Sequence, residues 1–260
     1  MDLLAWNRAA WDKCVAEKNE WTVPVSQEII ARARTGDWSV ILTPSRAVAR
    51  DWFPANMNGV EILGLASAGG QQMPILAAAG AQVTSFDLSP AQLAQDEFVA
   101  RREGLNIRTV PGDMRDLSAF PDNSFDLIFH PVSNLFIPDP RPVWHEATRV
   151  LKPGGALLAG FAQPVIFLFD DAAMDKGEFI LRYKIPYSDL DSLSADELEK
   201  LKAQGVPLCF GHSLETQLGG QLAAGLVITG YFDDRWPGKP LDAFAPTFSA
   251  TRAVKNGGRG

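Results

Sequence analysis

The chain has 260 residues, 46% hydrophobic and 21% charged, enough for one substantial core with an elaboration of some tens of residues. Its formal net charge of −7 argues against a nucleic-acid partner, which needs a basic groove. Cys14 and Cys209 show neither metal-ligand spacing nor a disulfide framework, and no apolar run approaches the ~18 residues of a membrane span. The expectation is a cytoplasmic protein with no metal site, no membrane contact and an oligomeric state left open. The first residues lack a basic stretch followed by an apolar one, so no signal peptide is expected.

Residues 1–57 read as an N-terminal helical arm. Trp6 to Cys14 looks helical, and Val25 to Arg34 is a second helix, capped by Ser26 with Glu28 in its first turn. Trp6, Trp11, Trp21, Trp38 and Trp52 crowd this arm. They either pack it onto the core, the usual fate of large aromatics, or form a lid over a ligand. Trp6 and Trp11 are the candidates for ligand contact.

From residue 58 the chain alternates strand and helix. Val60 to Leu65 is an apolar strand that runs into Ala66-Ser67-Ala68-Gly69-Gly70-Gln71-Gln72, a loop of small side chains, followed by a helix from Met73 closed by Gly80. A strand, a small-residue turn and a helix start bring backbone N–H groups against a ligand. Ala81 to Asp87 is a second strand ending in a carboxylate. Ser89 and Pro90 open the next helix as N-cap and first residue, and Ile107 to Val110 is a third strand, followed by Gly112-Asp113-Met114. Ser124 to His130 supplies the fourth strand. Glu146 to Lys152 reads as a helix ending in the turn Pro153-Gly154-Gly155, before a fifth strand, Ala156 to Gly160. This pattern implies right-handed βαβ units and a mainly parallel, doubly wound α/β sheet.

Past Phe161 the alternation breaks. Residues 163–212 form an insert rich in aromatics (Phe167, Phe169, Phe179, Tyr183, Tyr187), with a helix from Ser194 to Gln204. A helix over Leu214 to Ala224 and strands over Leu226 to Phe232 and Thr247 to Val254 complete a domain spanning 58–254, and the tail 255–260 is expected to be disordered.

The ordered set from the Gly64 loop through Asp87, Asp113 and the Pro153-Gly154-Gly155 turn resembles the class I S-adenosylmethionine-dependent methyltransferases, closely over about 58–162. The resemblance implies a seven-stranded, Rossmann-like sheet, S-adenosyl-L-methionine as cofactor, and methyl transfer to a small-molecule oxygen, sulfur, nitrogen or carbon atom. It implies a cofactor site of Gly64, Ala66, Ser67, Ala68, Gly70 and Gln71 in the first loop, Asp87 for the ribose with Leu88 beside it, Gly112, Asp113 and Met114 for the adenine, and His130 and Ser133 near the sulfonium. The alternative for Asp113 is that it caps its own turn.

The family's first loop usually carries an acid and three glycines. Here Gly64 stands in the acid's place, and Ala66 and Ala68 replace two glycines, an exchange that needs φ below zero at both. Ser67, Gln71 and Gln72 are then the expected polar substitutes.

His130-Pro131-Val132-Ser133 replaces the tetrad found in enzymes that methylate bases or protein amides, which speaks against those acceptors. A histidine titrates near neutral pH, so His130 is the candidate general base, or a residue that only shapes the pocket. His145 reads as surface or packing. Candidate acceptor contacts are Trp6, Trp11, Asn134, Tyr183, His212 and Gln217, within an apolar pocket supplied by the insert. Two other readings stay open: a non-enzymatic domain that binds the cofactor, and an NAD-dependent oxidoreductase, since Gly64-x-Ala66-x-x-Gly69 is also a degenerate dinucleotide fingerprint.

Overall fold

The computed structural model describes residues 2–257; Met1, expected in the arm, and residues 258–260, expected in the tail, lie outside the described residues. The arm holds α1 (Leu3–Ala16) and α2 (Gln27–Arg34). Then come β1 (Glu61–Leu65), α3 (Gln72–Ala78), β2 (Gln82–Asp87), α4 (Pro90–Glu103), β3 (Ile107–Pro111), β4 (Phe125–His130), α5 (Arg141–Val150) and β5 (Leu151–Ala162). The following stretch holds α6 (Asp171–Met174), β6 (Tyr187–Ser188), α7 (Asp189–Ser192), α8 (Ala195–Gln204) and β7 (Phe210–Gly211). The chain closes with α9 (Gly220–Ala223), β8 (Leu226–Asp234) and β9 (Phe248–Lys255).

Seven strands form one sheet in the order β3-β2-β1-β4-β5-β9-β8, parallel from β3 to β5 and antiparallel at β9 and β8. The direction of winding reverses between β1 and β4, which opens a crevice at their carboxyl ends. Both faces are covered, so β1 and β4 run apolar without alternation: Ile62, Leu63, Leu65, Leu127, Ile128 and Phe129 are all buried. One face packs under α2 and α3 around Val40, Leu42, Phe53 and Leu76. The other packs under α5 around Val143, Trp144 and Ala147.

Local chemistry sets the element ends. Ser26 Oγ accepts from Ile29 N, and Ser89 Oγ accepts from Gln92 N with Pro90 at the first helical position. Ser194 and Glu197 form a reciprocal capping box on α8, and left-handed Gly104 and Gly205 end α4 and α8.

Three expectations are corrected. Pro153-Gly154-Gly155 does not end a helix; α5 stops at Val150, and residues 152–155 bulge from β5, whose register on β4 shifts between Phe125 and Leu127. The helix expected over Leu214–Ala224 opens with a π-type turn, Glu215–Gly219, before α9. Lys255, expected in a disordered tail, is the last residue of β9, and its Nζ donates to Leu151 O at 2.7 Å.

Two further contacts shape the crevice. Gly160 in β5 lies so near the 40–44 segment that a Cβ there would come within 2.1 Å of Leu42 O. Asp234, at the end of β8, accepts from Ser45 N and Oγ and from Arg46 N at 2.6–2.9 Å. Burial alone would raise its carboxyl; the hydrogen bonds from Ser45 and from Arg235 N bring it down to about 2 instead. The segment leading into Ser45 is thereby fixed across the sheet edge.

Candidate active site

A cavity of about 240 Å³ opens at the carboxyl ends of β1, β2 and β4. One side is built from strand tips. Ala66, Ser67 and Ala68 follow β1, Asp87 and Leu88 end β2, and Gly112, Asp113 and Met114 follow β3; all line the cavity.

The first loop is held in an unusual backbone. Ala66 has φ 48° and Ala68 φ 63°, so both alanines sit in the left-handed region, against the expectation of φ below zero. An L-residue there costs ~1–2 kcal/mol. The strain persists because the loop is tied on both sides. Gly69 N donates to Gln92 Oε1 at 2.7 Å and Gly70 N to Asp96 Oδ1 at 2.8 Å, both buried contacts from α4. From the arm side, Val25 N donates to Gly70 O at 2.8 Å, and the Gln71 amide donates to Glu20 O and Val23 O. Gln72 Oε1 accepts from Ile41 N. Gln71 and Gln72 line the cavity with their amides committed to the arm.

Gly64 and Gly70 do not line the cavity. Gly64 is buried within β1, where a Cβ would lie 2.2 Å from Met73 Sδ, so no acid fits in its place. Gly70 turns toward Pro24.

Asp87 lines the cavity, and its Oδ1 accepts from Ser89 N at 2.8 Å. Burial pushes its carboxyl up to about 7, with Asp12 adding to the rise and the Ser89 N–H opposing it. Asp96 is likewise pushed up to about 7 by burial, against hydrogen bonds from Ser85 and Gly70. Asp113 both caps its turn, accepting from Arg115 N at 3.0 Å, and pairs with the Arg115 guanidinium at 2.6–3.1 Å while lining the cavity.

His130, the expected base, does not reach the cavity. It is fully buried, and Nδ1 lies 2.8 Å from Leu65 O. A carbonyl only accepts, so Nδ1 carries the proton; Nε2 has no partner among the described residues. Burial lowers its pKa to about 4, keeping it neutral. His130 therefore pins the end of β1 to β4. Ser133 does line the cavity, its hydroxyl donating to Pro131 O at 2.9 Å.

The opposite wall comes from the arm and loops. Leu3, Leu4, Asn7 and Trp11 line it from one face of α1 at helical spacing, with Trp21, Leu42, Phe136, Ile137, Trp236 and Phe248. α1 is latched down. Asn7 donates to Phe136 O at 2.9 Å and accepts from Leu208 N at 2.9 Å. Asp12 accepts from Ser89 Oγ at 2.5 Å, so the arm meets α4 one residue from its first turn.

Five of the expected acceptor contacts lie elsewhere. Trp6 donates its indole N–H to Val206 O. Asn134 and Gln217 exchange amide hydrogen bonds at 3.3 and 3.0 Å, and His212 Nε2 meets Asn134 O at 3.1 Å. This network continues through Gln221 to Thr251 and satisfies polar groups beneath the crevice. Tyr183 packs on Tyr187, which stacks on Phe167, while Phe169 packs on Phe179. Of residues 163–212 only Ile166 lines the cavity. The insert's aromatics form their own small core, so it does not supply the expected pocket. Sequence reasoning missed Leu3, Leu4 and Asn7, which the i, i+4 spacing to Trp11 signals, and Trp236 and Phe248, which carry no local signal.

Residues 63–159 match a family model described as a methyltransferase domain. The chain is 49% identical over 253 residues, 97% of its length and 98% of the relative's, to the uncharacterized methyltransferase YbaJ of Bacillus subtilis. A stretch of 89 residues is 36% identical to the sterol 24-C-methyltransferase ERG6B of Gibberella zeae, covering 34% of this chain and 23% of that one. Among solved structures, an S-adenosylmethionine-dependent methyltransferase from Mesorhizobium loti superposes with a TM-score of 0.59 at 19% identity, over 79% of this chain and 95% of the other.

Proposed function

The chain belongs to the S-adenosylmethionine-dependent methyltransferases, and we propose that it moves the methyl group to a small apolar molecule held between the arm and the sheet edge. One observation carries this reading: opposite the strand tips, the cavity wall is built from apolar side chains of α1, the 41–44 segment and the loops after β4 and β8. Such a wall binds by removing apolar surface from water.

The residues present suit the cofactor. The Asp87 carboxylate, at the tip of β2, would accept from both ribose hydroxyls; its place among the residues lining the cavity supports this. Asp113 would accept from the adenine amino group, and Leu88 and Met114, which line the same cavity, would contact the ring. Loop residues 66–68 offer a surface without bulky side chains. Bound there, S-adenosylmethionine supplies an electrophilic methyl on a positively charged sulfur. The protein's own part is alignment and exclusion of water. α1 performs the second task by covering the cavity with Leu3, Leu4 and Trp11.

The test is calorimetric titration with S-adenosylhomocysteine and with NAD, followed by an acceptor screen of apolar against highly polar molecules. The expected outcome is binding of S-adenosylhomocysteine alone and turnover confined to apolar acceptors. Turnover on polar acceptors only, or none with any acceptor, overturns this reading.

A further inference from the structure

Within that reading, we infer that the acceptor is an apolar amine, which enters the chamber with its nitrogen unprotonated. Two independent features of the wall carry this: it offers no titratable side chain to take a proton, and its aromatic groups suit a cation.

The polar side chains that face the acceptor side, Asn7, Thr43 and Ser133, take up no proton; Asn7 and Ser133 are also engaged, while Thr43 Oγ1 has no partner among the described residues. Asn7 is held by Phe136 O and Leu208 N, and Ser133 donates to Pro131 O. Among the described lining residues the titratable groups are Asp87, Asp113 and Arg115, all on the cofactor side, and Asp113 and Arg115 are paired with each other. An alcohol loses its proton as it is methylated and needs a base to take it. Methylation of an alkene carbon leaves a carbocation that must also shed a proton. An unprotonated amine needs neither: its lone pair forms the nitrogen–carbon bond as the sulfur–carbon bond breaks, with that electron pair going to sulfur. The positive charge passes from sulfur to nitrogen, and any proton on nitrogen leaves to water after release.

The aromatic lining decides between an amine and the anionic nucleophiles that likewise have no proton to lose, such as a thiolate or a carboxylate. Trp11, Trp21, Phe136, Trp236 and Phe248 line the chamber. They form two contacting groups, Trp11 with Phe136 at 5.0 Å, and Trp236 with Trp21 at 5.9 Å and Phe248 at 5.7 Å. Aromatic faces carry negative charge density, which attracts an ammonium and repels a thiolate. A wall of this composition stabilises charge developing on nitrogen, so the interaction strengthens toward the transition state.

A charged product mimic tests this without knowledge of the natural acceptor. The full chain, saturated with S-adenosylhomocysteine, is titrated with benzyltrimethylammonium and with neopentylbenzene, its uncharged isostere, by tryptophan fluorescence. The ammonium is expected to bind about tenfold tighter, and Trp236→Leu is expected to narrow that ratio with S-adenosylhomocysteine affinity unchanged. Equal or tighter binding of the isostere overturns the inference, as does binding of neither probe. Failure of S-adenosylhomocysteine itself to bind instead sinks the cofactor reading on which it rests.

Discussion

At the residue scale, Asp87 combines two demands that conflict without a ligand. It accepts most strongly from ribose hydroxyls when ionised, yet burial holds its carboxyl up to about 7. Asp87→Ala should weaken S-adenosylhomocysteine binding by about 2–3 kcal/mol, the loss of a charge-assisted hydrogen-bond pair, without unfolding the protein. An unchanged dissociation constant would remove the ribose role.

Asp96 gives a stability prediction. Its folded value of about 7 lies above the unfolded 3.8, so the native state binds the proton more tightly. Stability from this group is therefore full below pH 4 and is lost as pH rises toward 7. Asp96→Asn keeps an acceptor for Gly70 N and discards the charge. Its unfolding free energy in urea should exceed the parent's at pH 8, by a margin on the order of 2–4 kcal/mol that nearly vanishes at pH 4. A margin constant with pH would show that the carboxylate carries no such cost.

The left-handed alanines offer a third test. Ala66→Gly and Ala68→Gly each relieve ~1–2 kcal/mol of strain and lose ~0.5–1 kcal/mol to chain entropy, so each should be neutral to slightly stabilising in thermal melts. Gly70→Ala should destabilise instead, since φ is 74° and Pro24 Cβ stands 3.0 Å from the added atom.

At the element scale, α1 is a cover fastened by a few side chains rather than by a broad apolar face. Asn7→Ala strips partners from Phe136 O and Leu208 N, costing about 1–3 kcal/mol for each buried group left unpaired. Hydrogen exchange should accelerate across 3–16 with the sheet unaffected, whereas uniform acceleration everywhere would make α1 part of the global folding unit. The aromatics of 163–212 behave in the opposite way. Because Phe167, Tyr183 and Tyr187 pack on one another, changes there should lower thermal stability and leave S-adenosylhomocysteine affinity alone.

For the whole molecule, the fold places two chemistries on either side of one crevice: carboxylates and bare backbone from strand tips, apolar and aromatic side chains from the arm and the last loops. Binding of S-adenosylhomocysteine selects ionised Asp87, so it should release protons near neutral pH. Calorimetry in buffers of different ionisation enthalpy should detect that release at pH 6.5 and not at pH 9, and its absence at both would show that Asp87 is already ionised in the free protein.

The strands β1 to β4 and the helices α2 to α4 were legible in the sequence because each is set by local rules. Apolar runs of strand length, Ser26 and Ser89 caps, and glycine stops at Gly80 and Gly104 act within a few residues of themselves. The motif residues Asp87, Asp113 and the small-residue loop were legible for the same reason, since each lies at the tip of such a strand. The loop's backbone was not. Nothing local forces Ala66 and Ala68 to positive φ; hydrogen bonds from α4 and the arm do so. His130 looked like a base from its place after β4, but only the packed sheet shows its Nδ1 turned to Leu65 O, away from the crevice. The acceptor wall was least legible of all. Leu3, Trp21, Phe136, Trp236 and Phe248 are up to 245 positions apart in the chain and meet only because α1 docks through Asn7 and Asp12 and β9 folds back beside β5. Local chemistry thus determined the fold and the strand-tip side of the cavity, whereas packing between distant segments decided the apolar wall that faces it.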